Sequence, residues 1–308
     1  MRLLKFIGII AAMALLVAVI WRSDPRRIAA DLSSASLVHV IAGLILVQVQ
    51  IVLSALRWRF TAARLGQGLD RGRAIGEYYL GTLLNQLLPG GVAGDTLRAF
   101  RNRAGIKEGW KVPAQAVILE RVAGQGIFFL IAAFGILIWP LLDGGMIPEN
   151  LRTPFQGFAL FVAAGAVAVL IVFRYPPRRI APYTKELHTA FAQVFLQERA
   201  WLLQTALSIA IVGSYIAMFM VASAAVGAPL PALAAVTAIP LGLLTMLIPA
   251  TIAGWGARET AAASLWPLFG YTASDGVAAS ILYGLLALAG ATPGLIVLIS
   301  AALGKKRA

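Results

Sequence analysis

The sequence predicts an all-α integral membrane protein with six full transmembrane helices, two re-entrant helical hairpins in an inverted repeat, and both termini cytoplasmic. Three observations carry this. Hydrophobic residues make up 60% of the chain and charged residues 13%, with a mean hydropathy of +0.84; soluble proteins sit near 45–50% and 25%. Six apolar runs are long enough to span a bilayer, at about 20 residues each. Two further apolar runs are interrupted by proline and glycine. No long polar stretch divides the chain, so residues 1–308 read as a single membrane domain.

Residues 1–34 form a first helix and loop. Arg2 and Lys5 precede an apolar run ending at Trp21, and the following Arg22-Ser23-Asp24-Pro25 lacks a small-x-small cleavage pattern, so an uncleaved helix near 3–21 is expected. Residues 35–141 form a first repeat: a span at 35–56, a hairpin at 74–100 broken by Pro89, Gly90, Gly91 and Gly94, and a span at 113–141. A connecting stretch, 142–200, holds a span at 155–173. Its end, 180–200, sets Leu187, Ala190, Phe191, Val194 and Phe195 among Lys185, Glu186, His188 and Glu198, which reads either as an amphipathic helix on the cytoplasmic surface or as a soluble linker helix. Residues 201–303 form the second repeat: a span at 201–226, a hairpin at 232–270 broken by Pro240, Pro249, Gly254 and Gly256, and a span at 275–303.

Basic residues set the topology. From Gly76 to Leu88 a helix of about a dozen residues reaches only ~18 Å, so the chain turns back at Pro89-Gly90-Gly91 rather than crossing. The cytoplasmic side then carries Arg2 and Lys5, five basic residues from Arg57 to Arg73, five from Arg98 to Lys111, five from Arg174 to Arg199, and Lys305, Lys306 and Arg307, in all 20 of the 26. Only Arg22, Arg26, Arg27 and Arg152 lie outside, and Arg121 and Arg258 fall within membrane segments. A bacterial-type cytoplasmic (inner) membrane is expected. Trp58, Trp110, Trp139 and Trp266, at segment edges, are assigned to the interfacial belt.

At an offset of 160, Leu87 to Arg98 lies over Leu247 to Arg258 without a gap, with Leu, Pro, Ala, Gly and Arg coinciding, and Gly124 falls on Gly284. Corresponding interrupted segments in two inverted halves point to a transporter binding site near the midplane. A broken membrane helix frees backbone donors at a positive dipole end, and Arg98 and Arg258 add guanidinium groups suited to phosphate. The expected ligand is an anionic headgroup. Charges within a span are costly, so Glu120 and Arg121 are candidates too.

Each charge keeps a purely structural alternative. Glu120 and Arg121 either meet substrate or neutralise Arg98 and Asp95; Arg98 either binds a headgroup or snorkels to the cytoplasmic interface; Arg258 and Glu259 either form the sharper site or a local pair. Asp95, three residues before Arg98, orients it, and Asn85 offers hydrogen bonds to a headgroup or caps the break. With no cysteine, two distant histidines and no nucleotide, nucleophile-elbow or metal-ligand motif, no catalytic residue, metal or cofactor is expected. The charge of +13 reflects topology and anionic lipid, not nucleic acid.

Leu56-Arg57-Trp58-Arg59, the run from Asn85 to Arg98, Glu120-Arg121 and Gly254-Trp255-Gly256-Ala257-Arg258-Glu259 together resemble the lysylphosphatidylglycerol synthase transmembrane, flippase-like family over about residues 5–300. One departure is Pro249-Ala250-Thr251, where the pattern prefers glycines. The resemblance implies a lipid flippase or transporter without a synthase domain, its substrate a phospholipid, an aminoacyl-phospholipid, or a polyprenyl-phosphate or glycolipid. The alternative is an accessory subunit or enzyme of a glycosyltransferase or lipid-modification pathway. Membrane lipids are the expected partners, and a homodimer and a lipid-synthesising enzyme are the protein partners the resemblance admits.

Overall fold

The computed structural model describes residues 2–103, 109–142, 181–247 and 251–304, with scattered positions between 157 and 175. Among them every regular element is helical. α1 is Arg2–Arg22, α2 Pro25–Ser33, α3 Leu37–Arg64, α4 Arg71–Leu87, α5 Ala93–Arg101, α6 Lys111–Leu142, α7 Ala181–Phe191, α8 Ala200–Ala225, α9 Ala232–Val236, α10 Ala238–Leu244, α11 Ala257–Leu265, α12 Ala273–Gly290 and α13 Gly294–Gly304. Four stretches are long and apolar enough to cross a membrane: Leu37–Arg64, Lys111–Trp139, Lys185–Ala225 and Ala273–Ser300. The chain is a multi-pass membrane protein.

α3 and α8 form the central pair and run antiparallel. Ser36 N donates to Ala225 O, Arg57 Nη1 to Ser208 Oγ and Gln204 Nε2 to Thr61 Oγ1, so each advance along α3 meets a retreat along α8. The seam holds buried Gln50, Ser54, Arg57, Thr61, Gln204 and Ser208. Inside lipid such groups must satisfy one another, which ties the two helices more specifically than apolar contact does.

α4 and α5 fold back on each other. Gly94 makes this approach: a Cβ there would stand 1.9 Å from the carbonyl oxygen of Gly81. Further from the turn, Arg101 Nε donates to both carboxylate oxygens of Glu77 at 2.9 Å. The reversal occurs at Leu88–Val92, where Gly90 and Gly91 take φ of 90° and 61°, a region that costs an L-residue about 1–2 kcal/mol. Asn85 caps the turn, its Oδ1 accepting from Gly94 N at 2.8 Å. α4 starts at Arg71, with Asp70 Oδ2 accepting from Arg73 N, and so extends past the apolar run into polar sequence.

The second interrupted stretch is more fragmented. α9 and α10 meet at a kink at Thr237, a 3-10 turn covers Thr245–Leu247, and α11 begins after Ala253, Gly254 and Gly256, all at positive φ. Pro249 lies outside the described residues. Pro240 is absorbed in the first turn of α10, where its missing N–H costs nothing.

Several boundaries differ from expectation. α3 runs two turns past Leu56, because the polar Arg57 continues the helix inside the fold rather than ending it. The last span is broken at Ala291–Pro293, with Gly294 pressed against the backbone of Tyr79. The segment expected at 180–200 is helical, then a π turn and a 3-10 turn; Ala190 and Val194 are buried against Leu119 of α6. Most of the expected span 155–173 lies outside the described residues.

Candidate functional site

Two clusters of buried charge lie on the two interrupted stretches. In the first, Arg98 of α5 is 1% exposed and its guanidinium carbon lies 4.5 Å from the ring of Trp58 and 4.3 Å from that of Tyr78. Its Nη2 donates to Asp95 Oδ1 at 2.9 Å and to Glu120 Oε2 at 3.3 Å. Glu120, on α6, is fully buried and accepts from Arg57 Nη2 at 2.5 Å and from Tyr78 Oη at 3.2 Å. Asp95 also takes Arg121 Nη2, at 2.6 Å on Oδ2. Charges drawn from α3, α5 and α6 thus form one chain, Arg57–Glu120–Arg98–Asp95–Arg121.

Snorkelling is therefore not the role of Arg98, since the aromatic pair and both carboxylates hold it inside. Asp95 does orient it. Glu120 pairs with Arg98 and Arg57, and Asp95 is the partner of Arg121. Trp58, Trp139 and Trp266 are buried instead of joining an interfacial belt: Trp58 stacks on Arg98, Trp139 on Phe269, and Trp266 donates from Nε1 to Ser223 Oγ. Indole packing against a cation or a hydroxyl outweighs interfacial placement here. Trp110, 67% exposed, is the one of the four that faces outward.

In the second cluster Arg258 and Glu259 are both fully buried. Arg258 Nη2 donates to Glu259 Oε1 at 2.8 Å, and its Nε to Ser280 Oγ at 2.9 Å; Ser280 in turn donates to Glu259 Oε1. Glu259 Oε2 accepts from the backbone N of Gly256, capping α11. Trp255 and Tyr283 lie on the guanidinium, at 5.1 and 5.0 Å.

The two clusters share three positions at the offset of 160, Arg98 with Arg258, Glu120 with Ser280 and Gly124 with Gly284, while their aromatic rings come from positions that do not correspond. Each arginine lies between a tryptophan and a tyrosine. Gly124 and Gly284, 160 apart, each leave room for a guanidinium: a Cβ would stand 2.8 Å from Arg57 Nη2 or 2.5 Å from Arg258 Nη2. Glu120 plus 160 is Ser280, so the partner on the following span is an acid in one cluster and a hydroxyl in the other, and the acid of the second moves to Glu259. The tips also touch, Gly90 N donating to Thr251 O at 3.3 Å.

Both sites hold spare donors. Arg57 Nε, Arg98 Nε and Nη1, Arg121 Nε and Arg258 Nη1 are buried with no hydrogen-bond partner. A buried unpartnered donor costs about 1–3 kcal/mol, more when charged, so an anion brought to either cluster would relieve a standing penalty. Asn85 is occupied with the turn and has a structural part here. Elsewhere on the surface, an apolar groove of about 350 Å³ between α6, α8 and α9 is lined by Ile127, Ile131, Phe134, Ile209, Ile216 and Val236. Among the described residues no group of three His, Asp or Glu is placed to hold a metal.

Arg57, Ser208, Tyr78, Trp255, Ser280 and Tyr283 were not singled out as site residues from sequence. For Ser280 the signal was present, since the offset of 160 leads there from Glu120. The model of the family described as the lysylphosphatidylglycerol synthase TM region matches residues 6–294. No curated protein matches the sequence.

Proposed function

Because this chain belongs to the lysylphosphatidylglycerol synthase transmembrane family, membrane proteins associated with lipid handling, we propose that it carries a lipid with an anionic headgroup across the bilayer. Arg98 and Arg258 receive the headgroup in turn. The observation that carries this reading is the pair of corresponding, buried arginines, each gripped by two aromatic rings and each with guanidinium N–H groups left unpartnered. A buried arginine within the membrane domain is costly, and two such residues at matching positions favour a shared ligand over coincidence.

On this reading the domain has six spans and two re-entrant hairpins, 74–100 and 232–270, in inverted halves 35–141 and 201–303, with cytoplasmic termini in an inner membrane. Depth supports it. Arg57 lies seven residues from the end of α3 (64 − 57) and Ser280 seven from the start of α12 (280 − 273), each about 10 Å from a helix end. With α3 ending inside and α12 starting outside, the clusters face opposite leaflets. The apolar groove whose lining begins at Ile127, two turns along α6 from Glu120, would keep an acyl chain in lipid while the headgroup moves. Membrane lipids are thus the partners; a second copy and a lipid-synthesising enzyme are proposed as protein partners.

Reconstituted vesicles test this. Arg98→Ala and Arg258→Ala are each expected to slow translocation of fluorescent phosphatidylglycerol at least tenfold. Unchanged translocation by both variants would end the reading, and product formation from lipid and sugar donors by the purified chain would replace it with an enzymatic one.

A further inference from the structure

Asp95 is shared between two arginines that differ in how far they are committed. Its Oδ1 takes Arg98 Nη2 at 2.9 Å and its Oδ2 takes Arg121 Nη2 at 2.6 Å. Arg98 is enclosed by Trp58, Tyr78 and Glu120. The Arg121 side chain is 40% exposed, whereas those of Arg57, Arg98, Asp95 and Glu120 are 10% exposed or less. Asp95 is its only ion-pair partner among the described residues. The cluster is also unbalanced, with three guanidinium groups against two carboxylates, and four of its buried N–H positions have no acceptor.

Resting on the lipid-carrying reading above, we propose that Asp95 is a built-in substitute for the headgroup's phosphate, a latch that holds Arg121 until the anion takes its place. A carboxylate and a phosphate ester both offer two oxygens to a guanidinium fork. A phosphodiester or monoester arriving beside Arg121 meets the same donors that Asp95 now fills, and Arg98 keeps Asp95 when Arg121 is released. The spare Nε of Arg121 then gains an acceptor, and the third positive charge gains a counter-ion. The second half has no such latch, since Asp95 and Arg121 fall on Trp255 and Ile281. Competition between an internal and an incoming anion is therefore confined to the first site, which would set both its affinity and its demand for a net negative headgroup.

The test is native mass spectrometry of the full chain offered equimolar phosphatidylglycerol and phosphatidylcholine, with thermal unfolding measured alongside. Asp95→Asn is expected to retain phosphatidylglycerol three- to tenfold better than the unaltered chain. Arg121→Gln, which leaves Asp95 with Arg98, is expected to unfold at the unaltered temperature and lose at least fivefold in retention. Equal or weaker retention by Asp95→Asn at an unchanged unfolding temperature overturns the latch, as does unaltered retention by Arg121→Gln should Asp95→Asn fail to fold. An unaltered chain with no preference for phosphatidylglycerol overturns the lipid-carrying reading and the latch with it. Inorganic phosphate protecting Asp95→Asn as well as phosphatidylglycerol does would assign the site to a free anion and overturn the lipid headgroup as its ligand.

Discussion

Gly284 sits against Arg258 so closely that a methyl group on it would stand 2.5 Å from Nη2. The guanidinium occupies the volume of the missing side chain, between the rings of Trp255 and Tyr283. Alanine at 284 gains about 1 kcal/mol of helix propensity and meets an overpacking cost of about 1–3 kcal/mol. The melting temperature of Gly284→Ala is therefore expected to move by only a few degrees while translocation falls tenfold or more. Wild-type transport by this variant would mean that the position of Arg258 is unimportant.

Glu120 is the acid at the centre of the first cluster, and removing its charge alone strands Arg57 and Arg98 in a buried setting. Breaking a buried pair in this way costs about 3–5 kcal/mol. Glu120→Ala is expected to lower thermal stability strongly. Pairing it with Arg57→Met removes one of the stranded cations and is expected to restore part of the loss without restoring transport. Additive effects in the double variant would show that the two residues do not interact.

Gly90 and Thr251 join the tips of the interrupted stretches through N–H and carbonyl. The chain has no cysteine, so cysteines placed at Gly91 and Thr251 form a clean crosslinking pair. Joining them by a short bifunctional maleimide is expected to stop translocation, while either single cysteine, labelled alike, transports. Full activity of the joined protein would mean the tips need not separate.

Asp31, on α2, has a buried carboxylate oxygen without a partner. Burial, with Asp275 nearby, pushes its carboxyl above the usual range, and Arg27 opposes this. A raised pKa means that the folded state resists ionisation, so stability is fully present at low pH and is lost as pH rises through the folded value. Asp31→Asn is expected to raise the melting temperature slightly at pH 7, by an amount that shrinks toward zero below the carboxyl's ordinary range. A variant less stable than the parent at pH 7 would show the charge to be useful.

The interrupted stretches and their matching arginines were legible because proline and glycine inside apolar sequence leave few alternatives, and the offset of 160 could be read by eye. Arg57 was not. It looked like the first residue of a cytoplasmic loop, since nothing local shows that its partner Glu120 lies 63 residues away on another helix. Trp58 was misplaced for the same reason: its ring is fixed by Arg98, a contact made only once α5 folds back. The break at Ala291–Pro293 was hidden because apolar residues continue on both sides. Sequence marks where a membrane helix must be interrupted; which charges then meet depends on helix crossings with no local signature.

Arg57 belongs to the first half of the chain, yet its Nη1 rests on Ser208 of the second. Relative motion of the two halves thus has a polar tooth in its path. A slide of one helical turn, about 5.4 Å, would bring that guanidinium opposite either Gln204 or Val212. Gln204 has a buried Oε1 with no partner, ready to accept, while Val212 offers nothing. Sliding one way exchanges one acceptor of Nη1 for another, and sliding the other way leaves Nη1 without an acceptor while Nη2 keeps Glu120, so the seam between α3 and α8 would resist one direction of sliding more than the other.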